Sequence, residues 1–435
     1  MNLVLQPAGG LTGEITLPGD KSITHRALLL GALGDGASRL TGYLDGGDCR
    51  ATLGCLQALG IAVEHLDQRQ PALVIHGAGL QGWRQPDGPL NCVRSGTTMR
   101  LLAGLLAGRP WESALVGEPQ LTRRPMDRVV EPLRAMGARI DAAGGGRFPP
   151  LELSPARLHG IDYALLVASA QVKSCLLLAG LYTEGVTRLT EPGPSRDHTE
   201  RMLRARGVPV VSAGLTHTLT GPAQCLAALD TAVPGDLSSA AFFVVAALLT
   251  PHSEVLLRHV NVNPTRIGLL DALAAMGAQI DLLDAHEEGG EPVADLRVRS
   301  QALTATEISG ALVPRMIDEF PILALAATQA EGTTTVRGAE ELRVKETDRI
   351  AALVEVLRPL GAEIEAQPDG FDVHGPTPLH GAAVDAHGDH RLAMTLAIAG
   401  LLARGETRVL GAECIADSFP GFEQRLRALT PEALR

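Results

Sequence analysis

The chain has 435 residues, 45% of them hydrophobic and 20% charged, which provides apolar material for packed cores and excludes a disordered chain or a small disulfide scaffold. At about 150 residues per domain, this length indicates two or three domains. The net charge of −11 and the aromatic content of 3% argue against nucleic acid as the main partner, although a few local cations can still bind a small anion.

The cysteines and the apolar runs indicate the compartment. The six cysteines show no CxxC spacing, which in a chain of this length indicates reduced, buried thiols. The longest apolar runs, 240–249 and 392–403, are too short to span a bilayer, which takes about 20 residues. The N-terminal sequence lacks the basic region and cleavage pattern of a signal peptide. We therefore expect a cytoplasmic protein with no membrane partner.

An apolar helical segment occurs six times along the chain, and its copies begin near Arg26, Arg100, Ser174, Ala240, Phe320 and Arg391. From the first copy to the last, the spacing averages 73 residues. Each segment precedes a strand-like piece, and the first five are then followed by an amphipathic helix ending on glycine and by two alternating strands. The pattern predicts a repeat of helix, strand, helix, strand, strand; the alternative is chance similarity among helices rich in Ala and Leu.

The sixth repeat has no strand pair after its second helix, whereas the N-terminus offers two strands, NLVLQ and GEITLP, that belong to no repeat. We predict that these two strands complete the last repeat. One domain is then discontinuous, with residues 1–18 and 234–435, and residues 19–233 form the other, with three repeats in each. The two chain crossings, near 18–19 and 233–234, are the expected hinges.

A polar cluster precedes each apolar helix: GDKSITHR (19–26), RSGTTMR (94–100), ASAQVKS (168–174), PGDLSSA (234–240), RMIDEF (315–320) and GDHR (388–391). A helix start exposes unpaired N–H groups and a partial positive charge, so it binds anions readily. Ordinary capping explains the Ser, Thr and Asp residues of these clusters. It does not explain their cations, since a cation at a helix start opposes the dipole: Lys21, Arg26, Arg100, Lys173 and Arg391. The clusters therefore predict a cleft that binds anions.

Lysine is rare and is confined to these segments or to one similar segment. Of 38 basic side chains, 35 are Arg and only Lys21, Lys173 and Lys345 are Lys. A lysine is a compact charge whose proton affinity can be tuned, so it is not interchangeable with Arg. Arg123 and Arg124 lie in a loop that suits an anion clamp. In 341–349 we expect Lys345 and Arg349 to share one face of a helix start, although a solvated, salt-bridged helix end would look the same.

Motifs for other chemistry are absent from the sequence. No HExxH, Cys/His cluster or Asp-rich loop indicates a metal site, and no P-loop or GxGxxG indicates a nucleotide cofactor. No GxSxG elbow indicates a hydrolase of that type. We therefore expect no metal and no cofactor.

Nine motifs, in chain order, resemble those of the 5-enolpyruvylshikimate-3-phosphate (EPSP) synthases: PGDKSITHRALLLGAL, SGTTMRLLAG, RRPMDRVVEPL, SAQVKSCLLLAGL, SRDHTERML, DEFPILALAA, LRVKETDRI, GDHRLAM and SFPGF. The resemblance implies the two-domain inside-out α/β barrel of the enolpyruvyl transferases, with six βαβαββ repeats, three per domain. It implies transfer of the enolpyruvyl group of phosphoenolpyruvate to the 5-hydroxyl of shikimate 3-phosphate by addition and elimination, a step toward chorismate and the aromatic amino acids. The family is the glyphosate target, and we expect a monomer whose partners are its two substrates.

The resemblance also implies roles for individual residues. Lys21 is placed between the two substrates, and the other expected shikimate 3-phosphate ligands are Ser22, Arg26, Ser169, Gln171, Ser195, Arg196 and Lys345. The expected phosphoenolpyruvate ligands are Gly96, Arg124, Arg349 and Arg391. Asp318 is expected to meet the attacking hydroxyl, Glu346 to deliver a proton to the methylene carbon, and His390 to border the reaction centre. The discontinuous domain is expected on the phosphoenolpyruvate side and residues 19–233 on the shikimate 3-phosphate side.

Three positions depart from the motifs of many family members. Arg94 stands where they generally carry Asn, and it could contact phosphoenolpyruvate, crowd its pocket or pair with Asp417. Asp417 stands where many of them carry Lys. Glu341 replaces the asparagine that some members carry in the shikimate pocket.

Two other functions fit the same scaffold. The related UDP-N-acetylglucosamine enolpyruvyl transferases usually carry a reactive Cys in the loop before the RP motif, but here GEPQLTRRP contains none. A non-catalytic anion-binding protein is the second alternative. The presence of Lys21, Asp318 and Glu346 together argues against it.

Overall fold

The computed structural model describes residues 2–67 and 71–434. By its internal contacts the chain divides into two compact units. Unit 1 comprises Met1–Pro18, Pro234–His286 and Pro292–Arg435, and unit 2 comprises Gly19–Val233 and Glu287–Glu291. Each unit contains its own hydrophobic core. In the described parts of the chain, no helix is long and apolar enough to cross a membrane.

The strands, in chain order, are β1 Leu3–Leu5, β2 Thr12–Thr16, β3 Asp35–Thr41, β4 Ala62–Asp67, β5 Ala72–Ala78, β6 Leu90–Asn91, β7 Ser113–Val116, β8 Arg139–Ala142, β9 Phe148–Ser154, β10 Asp162–Ala164, β11 Gly185–Thr190, β12 Val210–Ala213, β13 Thr216–Gly221, β14 Thr231–Ala232, β15 Glu254–Asn261, β16 Ile280–Glu288, β17 Glu291–Arg299, β18 Glu307–Ile308, β19 Gly332–Val336, β20 Glu363–Gln367, β21 Gly370–Gly375, β22 Ala383–Asp385 and β23 Thr407–Leu410.

The α-helices are α1 Lys21–Leu33, α2 Gly47–Ala58, α3 Gly96–Leu106, α4 Pro119–Thr122, α5 Asp127–Ala135, α6 Ala143–Gly146, α7 Ala170–Gly180, α8 His198–Ala205, α9 Leu237–Leu249, α10 Gly268–Ala275, α11 Phe320–Thr328, α12 Arg349–Leu357, α13 His390–Leu402 and α14 Phe422–Leu429. Short 3₁₀ helices span Gly310–Arg315, Glu340–Val344, Arg358–Leu360, Ala412–Asp417 and Pro431–Ala433.

The repeat predicted from the sequence is present in the fold. The apolar helices α1, α3, α7, α9, α11 and α13 are each followed by a strand and, in the first five repeats, by a second helix and an antiparallel strand pair. The five glycines that end the amphipathic segments have φ between 85° and 97°, the left-handed conformation that glycine adopts without steric cost: Gly60, Gly137, Gly207, Gly277 and Gly361.

The described strands form six small sheets, and in each the strand after the apolar helix has one parallel neighbour at the edge. The sheet orders are β14-β3-β5-β4, β6-β7-β9-β8 and β10-β11-β13-β12 in unit 2, and β16-β17-β15-β2, β18-β19-β21-β20 and β1-β23-β22 in unit 1.

The prediction that both N-terminal strands complete the last repeat is half wrong. Strand β1 pairs antiparallel with β23 and does extend the last sheet, whereas β2 pairs parallel with β15 in the fourth sheet. The same exchange occurs at the other crossing, where β14 precedes α9 but pairs with β3. Each strand before a crossing therefore satisfies its backbone hydrogen bonds within the unit that the chain is leaving.

The apolar helices are buried on nearly every side. In α9, every residue from Leu237 to Leu248 is buried, and in α11 the whole helix from Phe320 to Thr328 is buried. A helix that is hydrophobic all round belongs in a core, which explains why these segments lack a polar face. The bodies of these helices are enclosed in the core. The polar clusters identified in the sequence lie at or just before the first turns of the same helices.

Helices α3 and α7 approach closely at Gly104. A Cβ on Gly104 would lie 2.2 Å from the backbone oxygen of Cys175, so no side chain fits there. This contact sets how the starts of α3 and α7, which carry several of the predicted site residues, are placed within unit 2.

We expect Gly104→Ala to destabilise unit 2 strongly, because the new methyl group would overlap backbone in a packed core and force α3 away from α7. Gly54→Ala in α2 is the matched control, since a Cβ there meets nothing within 4 Å. That control should be neutral or more stable by up to about 1 kcal/mol from helix propensity. Denaturant unfolding followed by circular dichroism measures both, and equal stability of the two variants would contradict the close-contact interpretation.

Candidate active site

In unit 2, the first turn of α1 presents the predicted bridging lysine. The Asp20 side chain accepts a hydrogen bond from the backbone N–H of Ile23 and caps the helix, so Lys21 begins it. The Lys21 Nζ atom lies 2.5 Å from Asp48 Oδ2 in the first turn of α2, and the side chain is about a quarter exposed. Asp48 therefore holds the cation at the surface of the unit, where an incoming anion can reach it.

Arg26 lies one turn further into α1 and is buried. Its Nη1 donates to the backbone oxygen of Ser22, its Nη2 to Ser174 Oγ and its Nε to Thr199 Oγ1, at 2.7 to 2.9 Å. Burial lowers the pKa of Arg26 to about 10, so it remains charged at neutral pH. These bonds tie α1 to α7 and α8, and a direct contact of Arg26 with substrate stays a prediction.

The start of α3 forms a cationic recess. The Ser95 side chain caps the helix, and Gly96 follows with no side chain. A Cβ on Gly96 would lie 3.0 Å from Nη1 of Arg100 and 3.4 Å from Nη1 of Arg124, so both guanidinium groups lie beside this glycine. Two cations next to the exposed N–H groups of a helix start make a site for a phosphate or carboxylate.

Gln171 joins this recess from the first turn of α7. It accepts a hydrogen bond from Arg100 and donates to Thr97 Oγ1 at 2.8 Å. The structure thus brings together three residues predicted from the motifs, Gly96, Arg124 and Gln171. Arg100 was identified only as a cation of a helix start and was not assigned to a substrate, although it orients Gln171.

Ser169, Ser195 and Arg196 lie on the same unit. Ser169 caps α7 by accepting from the backbone N–H of Val172, and the Ser195 hydroxyl donates to Glu191. Arg196 is half-buried and directly precedes Asp197, the residue before α8. Glu191 was not identified from the sequence, because nothing in TEPGPSR marks its glutamate as a partner of the serine four residues later.

The expectation that Lys173 belongs to the anion-binding surface is wrong. Lys173 is fully buried, and its Nζ atom lies 2.7 Å from Glu191 and 2.8 Å from Glu200. His217 contacts the same two carboxylates at 3.0 and 3.5 Å. The lysine is a structural partner of these two carboxylates, because a buried charge without a partner is costly.

In unit 1, Arg349 lies at the centre of a cluster of carboxylates. Its Nη2 lies 2.7 Å from Glu346 Oε2, its Nε 2.9 Å from Asp389 Oδ2 and its Nη1 3.6 Å from Asp318 Oδ1. Burial by itself would lower the pKa of Arg349, but Glu346, Asp389 and Asp318 together raise it above its ordinary value. The guanidinium is therefore permanently charged, and it orders both predicted acid–base residues.

The start of α13 supplies the second arginine of this cluster. Asp389 accepts from the backbone N–H of Arg391 and caps the helix, and Thr347 Oγ1 donates to the same carboxylate. The Arg391 Nη2 atom lies 3.8 Å from Asp318 Oδ2, and His390 is buried in the first turn. Burial favours the neutral form of Asp389, but the charge of Arg349 and its hydrogen bond lower the pKa of this carboxyl. Asp389 thus acts as helix cap and as anchor of Arg349, a double role that the GDHR motif did not reveal.

The expectation that Lys345 and Arg349 share one face of a helix start is wrong. Helix α12 begins at Arg349, and Lys345 precedes it at the end of the 3₁₀ helix Glu340–Val344, so the two cations do not share a helix face. Lys345 Nζ lies 3.3 Å from Glu341, which identifies this glutamate as the lysine's neighbour.

The departures at Arg94 and Asp417 lie in different units. Arg94 Nε lies 2.8 Å from Glu118 Oε2, and both side chains are about half exposed. Arg94 therefore has a carboxylate partner in its own unit, which was not considered among the alternatives. Asp417 ends the 3₁₀ helix Ala412–Asp417 of unit 1.

Comparison with known proteins identifies the family of the chain. The family model described as EPSP synthase (3-phosphoshikimate 1-carboxyvinyltransferase) matches residues 5–426. The chain belongs to the EPSP synthase family.

The named relatives cover nearly the whole chain. It is 51% identical to the 3-phosphoshikimate 1-carboxyvinyltransferase of Geobacter sp. (strain M21), covering 97% of both chains, and 47% identical to that of Bacillus subtilis (strain 168), covering 97% of this chain and 98% of the relative. The structure of EPSP synthase from Acinetobacter baumannii superposes with a TM-score of 0.90 at 40% identity, covering 99% and 98% of the two chains. The enolpyruvyl transferase NikO from Streptomyces tendae shares the fold, with a TM-score of 0.80 at 20% identity and 100% and 98% coverage.

These comparisons confirm the family, the enolpyruvyl transferase fold and the transferase activity predicted from the nine motifs. They do not test the roles of individual residues or the assignment of each substrate to one half of the chain. Those roles therefore stay predictions and are argued below from the geometry.

We expect Lys173→Met to lower the free energy of unfolding by about 3–5 kcal/mol, because it leaves Glu191 and Glu200 buried without their cation. Arg188→Met is the matched control, since Arg188 and Asp162 form a half-exposed ion pair on the same unit. Loss of such a pair costs about 0–1 kcal/mol. Chemical denaturation measures both. A Lys173→Met protein as stable as the control, with impaired substrate binding, would restore Lys173 to the anion-binding surface.

Proposed function

We propose that the chain transfers the enolpyruvyl group of phosphoenolpyruvate to the 5-hydroxyl of shikimate 3-phosphate and releases phosphate, with the residues assigned here. The observation that carries the assignment is the cluster in unit 1, where Asp318 and Glu346 both lie within 4 Å of the Arg349 guanidinium. A site that must hold an anion and move protons needs arginines and carboxylates in contact.

Arg349 and Arg391 are the proposed ligands of the phosphoenolpyruvate carboxylate. Both guanidinium groups contact Asp318, on different oxygens, so a planar carboxylate that replaces Asp318 there can bind the pair. Asp318 is then released to accept a hydrogen bond from the attacking hydroxyl. We assign it the role of general base on that hydroxyl.

Glu346 is the proposed general acid, and we propose that it acquires its proton when substrate binding breaks its contact with Arg349. While Arg349 Nη2 lies 2.7 Å from Glu346, the guanidinium favours the ionised carboxylate. When a substrate carboxylate takes over that guanidinium, Glu346 loses the contact and gains a negative neighbour, so its proton affinity rises. The acid is thus loaded by the binding of the substrate that it protonates.

The proposed reaction has two steps, an addition and an elimination. In the addition, the oxygen of the 5-hydroxyl bonds to C2 of phosphoenolpyruvate, and Asp318 accepts the proton of that hydroxyl. Glu346 gives its proton to the methylene carbon, which becomes a methyl group. The product of this addition is a tetrahedral ketal. In the elimination, Glu346 takes one proton back from the methyl group, the double bond reforms, and the departing phosphate takes up the proton held by Asp318. His390, in the first turn of α13 beside Asp389 and Arg391, is assigned to the border of this centre.

Unit 2 supplies the remaining binding groups. We assign Gly96 and Arg124, which form the recess at the start of α3, to the phosphate of phosphoenolpyruvate. Lys21 serves both substrates. The shikimate 3-phosphate ligands are assigned as Ser22, Arg26, Ser169, Gln171, Ser195, Arg196 and, from unit 1, Lys345. Support for this division comes from the anion-binding chemistry of the helix starts and from the two guanidinium groups beside Gly96.

We also propose that the enzyme works as a cytoplasmic monomer without cofactor or metal. All six cysteines are free thiols, which supports a reducing compartment.

The test of the activity is phosphate release from phosphoenolpyruvate with each of two acceptors, shikimate 3-phosphate and UDP-N-acetylglucosamine. We expect release with shikimate 3-phosphate alone. Release with the nucleotide sugar would identify the related transferase activity, and release with neither acceptor would leave anion binding without catalysis.

We expect Glu346→Gln to lower kcat by about 10²–10⁴-fold, because the amide cannot exchange a proton. The KM for shikimate 3-phosphate should remain within a few-fold of wild type, since the side chain keeps its size. Glu340→Gln, an exposed position six residues earlier, is the matched control and should leave both constants unchanged. Steady-state kinetics of phosphate release measures the effect, and a kcat within threefold of wild type removes Glu346 from the mechanism.

A further inference from the structure

A buried group of ionisable residues lies directly behind Ser195 in unit 2 and has no role in the chemistry assigned so far. We call it the Glu191 cluster; its members are Lys173, Glu191, Glu200 and His217. All four side chains are at least nine-tenths buried. Ser195 connects the cluster to the proposed substrate site, because its hydroxyl donates to Glu191 Oε1.

The hydrogen bonds determine which nitrogen of a neutral His217 carries the proton. Nε2 lies 3.0 Å from Glu191 Oε2, an acceptor, so Nε2 must be the donor. Nδ1 then accepts from the hydroxyl of Ser212, 2.9 Å away. Ser212 is exposed, so the Nδ1 side of the ring is the side that solvent protons can reach.

The cluster carries one more negative than positive charge when His217 is neutral. Lys173 supplies the single positive charge, and Glu191 and Glu200 supply two negative charges. Neither oxygen of Glu200 receives a hydrogen bond within the described residues, although Lys173 Nζ lies 2.8 Å from Oε1. A proton on His217 Nδ1, 3.5 Å from the same Oε1, would neutralise the cluster.

Among the described residues, the two cross-strand partners of His217 carry no charge. On β13, His217 pairs with Leu189 of β11 and with Ser212 of β12, neither of which is charged. Helices α7 and α8 contribute Lys173 and Glu200, and the loop after β11 contributes Glu191. Arg26 lies beyond them, bonded to Thr199 of α8 and Ser174 of α7, and senses the charge of Glu200.

The hydroxyl of Ser195 has one proton, and in this structure Glu191 accepts it. A phosphate oxygen is an acceptor, so Ser195 can donate to phosphate only by turning its proton away from Glu191. Glu191 then loses one of its hydrogen bonds while a dianion approaches the cluster. Both changes leave more uncompensated negative charge beside His217.

We propose that His217 takes up a proton when the phosphate of shikimate 3-phosphate engages Ser195, so that binding of this substrate is coupled to protonation of the Glu191 cluster. The proposal rests on the assignment of Ser195 as a shikimate 3-phosphate ligand. The proton comes from solvent and binds Nδ1 of His217, and the Ser195 proton moves from a hydrogen bond with Glu191 to one with phosphate. No covalent bond to substrate forms or breaks. His217 and Glu191 are positioning residues and do not touch the substrate.

The test is titration calorimetry of shikimate 3-phosphate into the enzyme at pH 7.5, in two buffers of different ionisation enthalpy. The dependence of the measured heat on the buffer gives the number of protons taken up. The substrate's own phosphate ionises with a pKa of about 6, so it is almost fully ionised at pH 7.5 and exchanges few protons on binding. We expect wild type to take up more protons than His217→Gln. Its affinity should accordingly rise by up to about tenfold more than that of the variant from pH 8 to pH 7.

His76→Gln is the matched control, because His76 is half exposed and pairs with Glu64 at another site of the same unit. It should behave as wild type. Ser195→Ala should reduce the uptake, because no hydroxyl is then withdrawn from Glu191. Should His217→Gln not fold, Glu200→Gln serves the same purpose, since it removes the carboxylate nearest to Nδ1.

The outcomes separate the two claims. No binding of shikimate 3-phosphate to wild type contradicts the proposed function. Binding with equal proton uptake in wild type and His217→Gln overturns the role of His217. Binding with full uptake in Ser195→Ala overturns the hydroxyl exchange as its cause.

Discussion

Three cations near the starts of buried helices are each held by carboxylates, and this pairing organises the first turns of those helices. The helix dipole opposes the cation and the core denies it water, so a partner must compensate both effects. Lys21 has Asp48, Lys173 has Glu191 and Glu200, and Arg349 has three carboxylates within 4 Å. Lys21 and Arg349, two cations that we assign to substrate binding, are therefore already paired with carboxylates in this structure.

In the proposed function, substrate binding is an exchange of anions. Phosphoenolpyruvate would compete with Glu346 and Asp318 for Arg349, and each carboxylate that it displaces would become available for acid–base chemistry. At the start of α3, Gly96 is flanked by Arg100 and Arg124, and the side-chain oxygen of Gln171 accepts a hydrogen bond from Arg100. We infer that the Arg349 cluster converts the binding of an anion into a change of protonation.

Much of this fold was predictable because its determinants are local. The apolar helices, their caps and the five glycines that end the amphipathic segments are encoded within a few residues. All five of these glycines adopt the expected left-handed conformation. The pairing of β2 with β15 and of β14 with β3 was not predictable in the same way. A strand of two to five residues can pair with any compatible edge, and the choice depends on where the chain crosses between units.

The partners of the cations were the least visible part of the site. The motifs identify Lys21, Arg349 and Arg391, but Asp48 and Asp389 lie 27 and 40 residues from the cations they hold. For Lys173, the sequence likewise did not reveal the carboxylates that hold it, and the residue was therefore predicted to be part of the anion-binding surface. Its segment resembles the other helix starts, and only the two buried carboxylates of Glu191 and Glu200 distinguish a structural lysine from a substrate ligand.

The exchange of anions at Arg349 is tested most directly by the affinity of the Glu346→Gln variant for phosphoenolpyruvate, measured by calorimetry without the second substrate so that no turnover occurs. Removing the charge of Glu346 removes a competitor for the guanidinium 2.7 Å away. The account predicts binding about tenfold tighter than in wild type, or about 1.4 kcal/mol, in an enzyme that has lost its turnover. Equal or weaker binding would contradict it, because Glu346 would then not compete with the substrate carboxylate for Arg349.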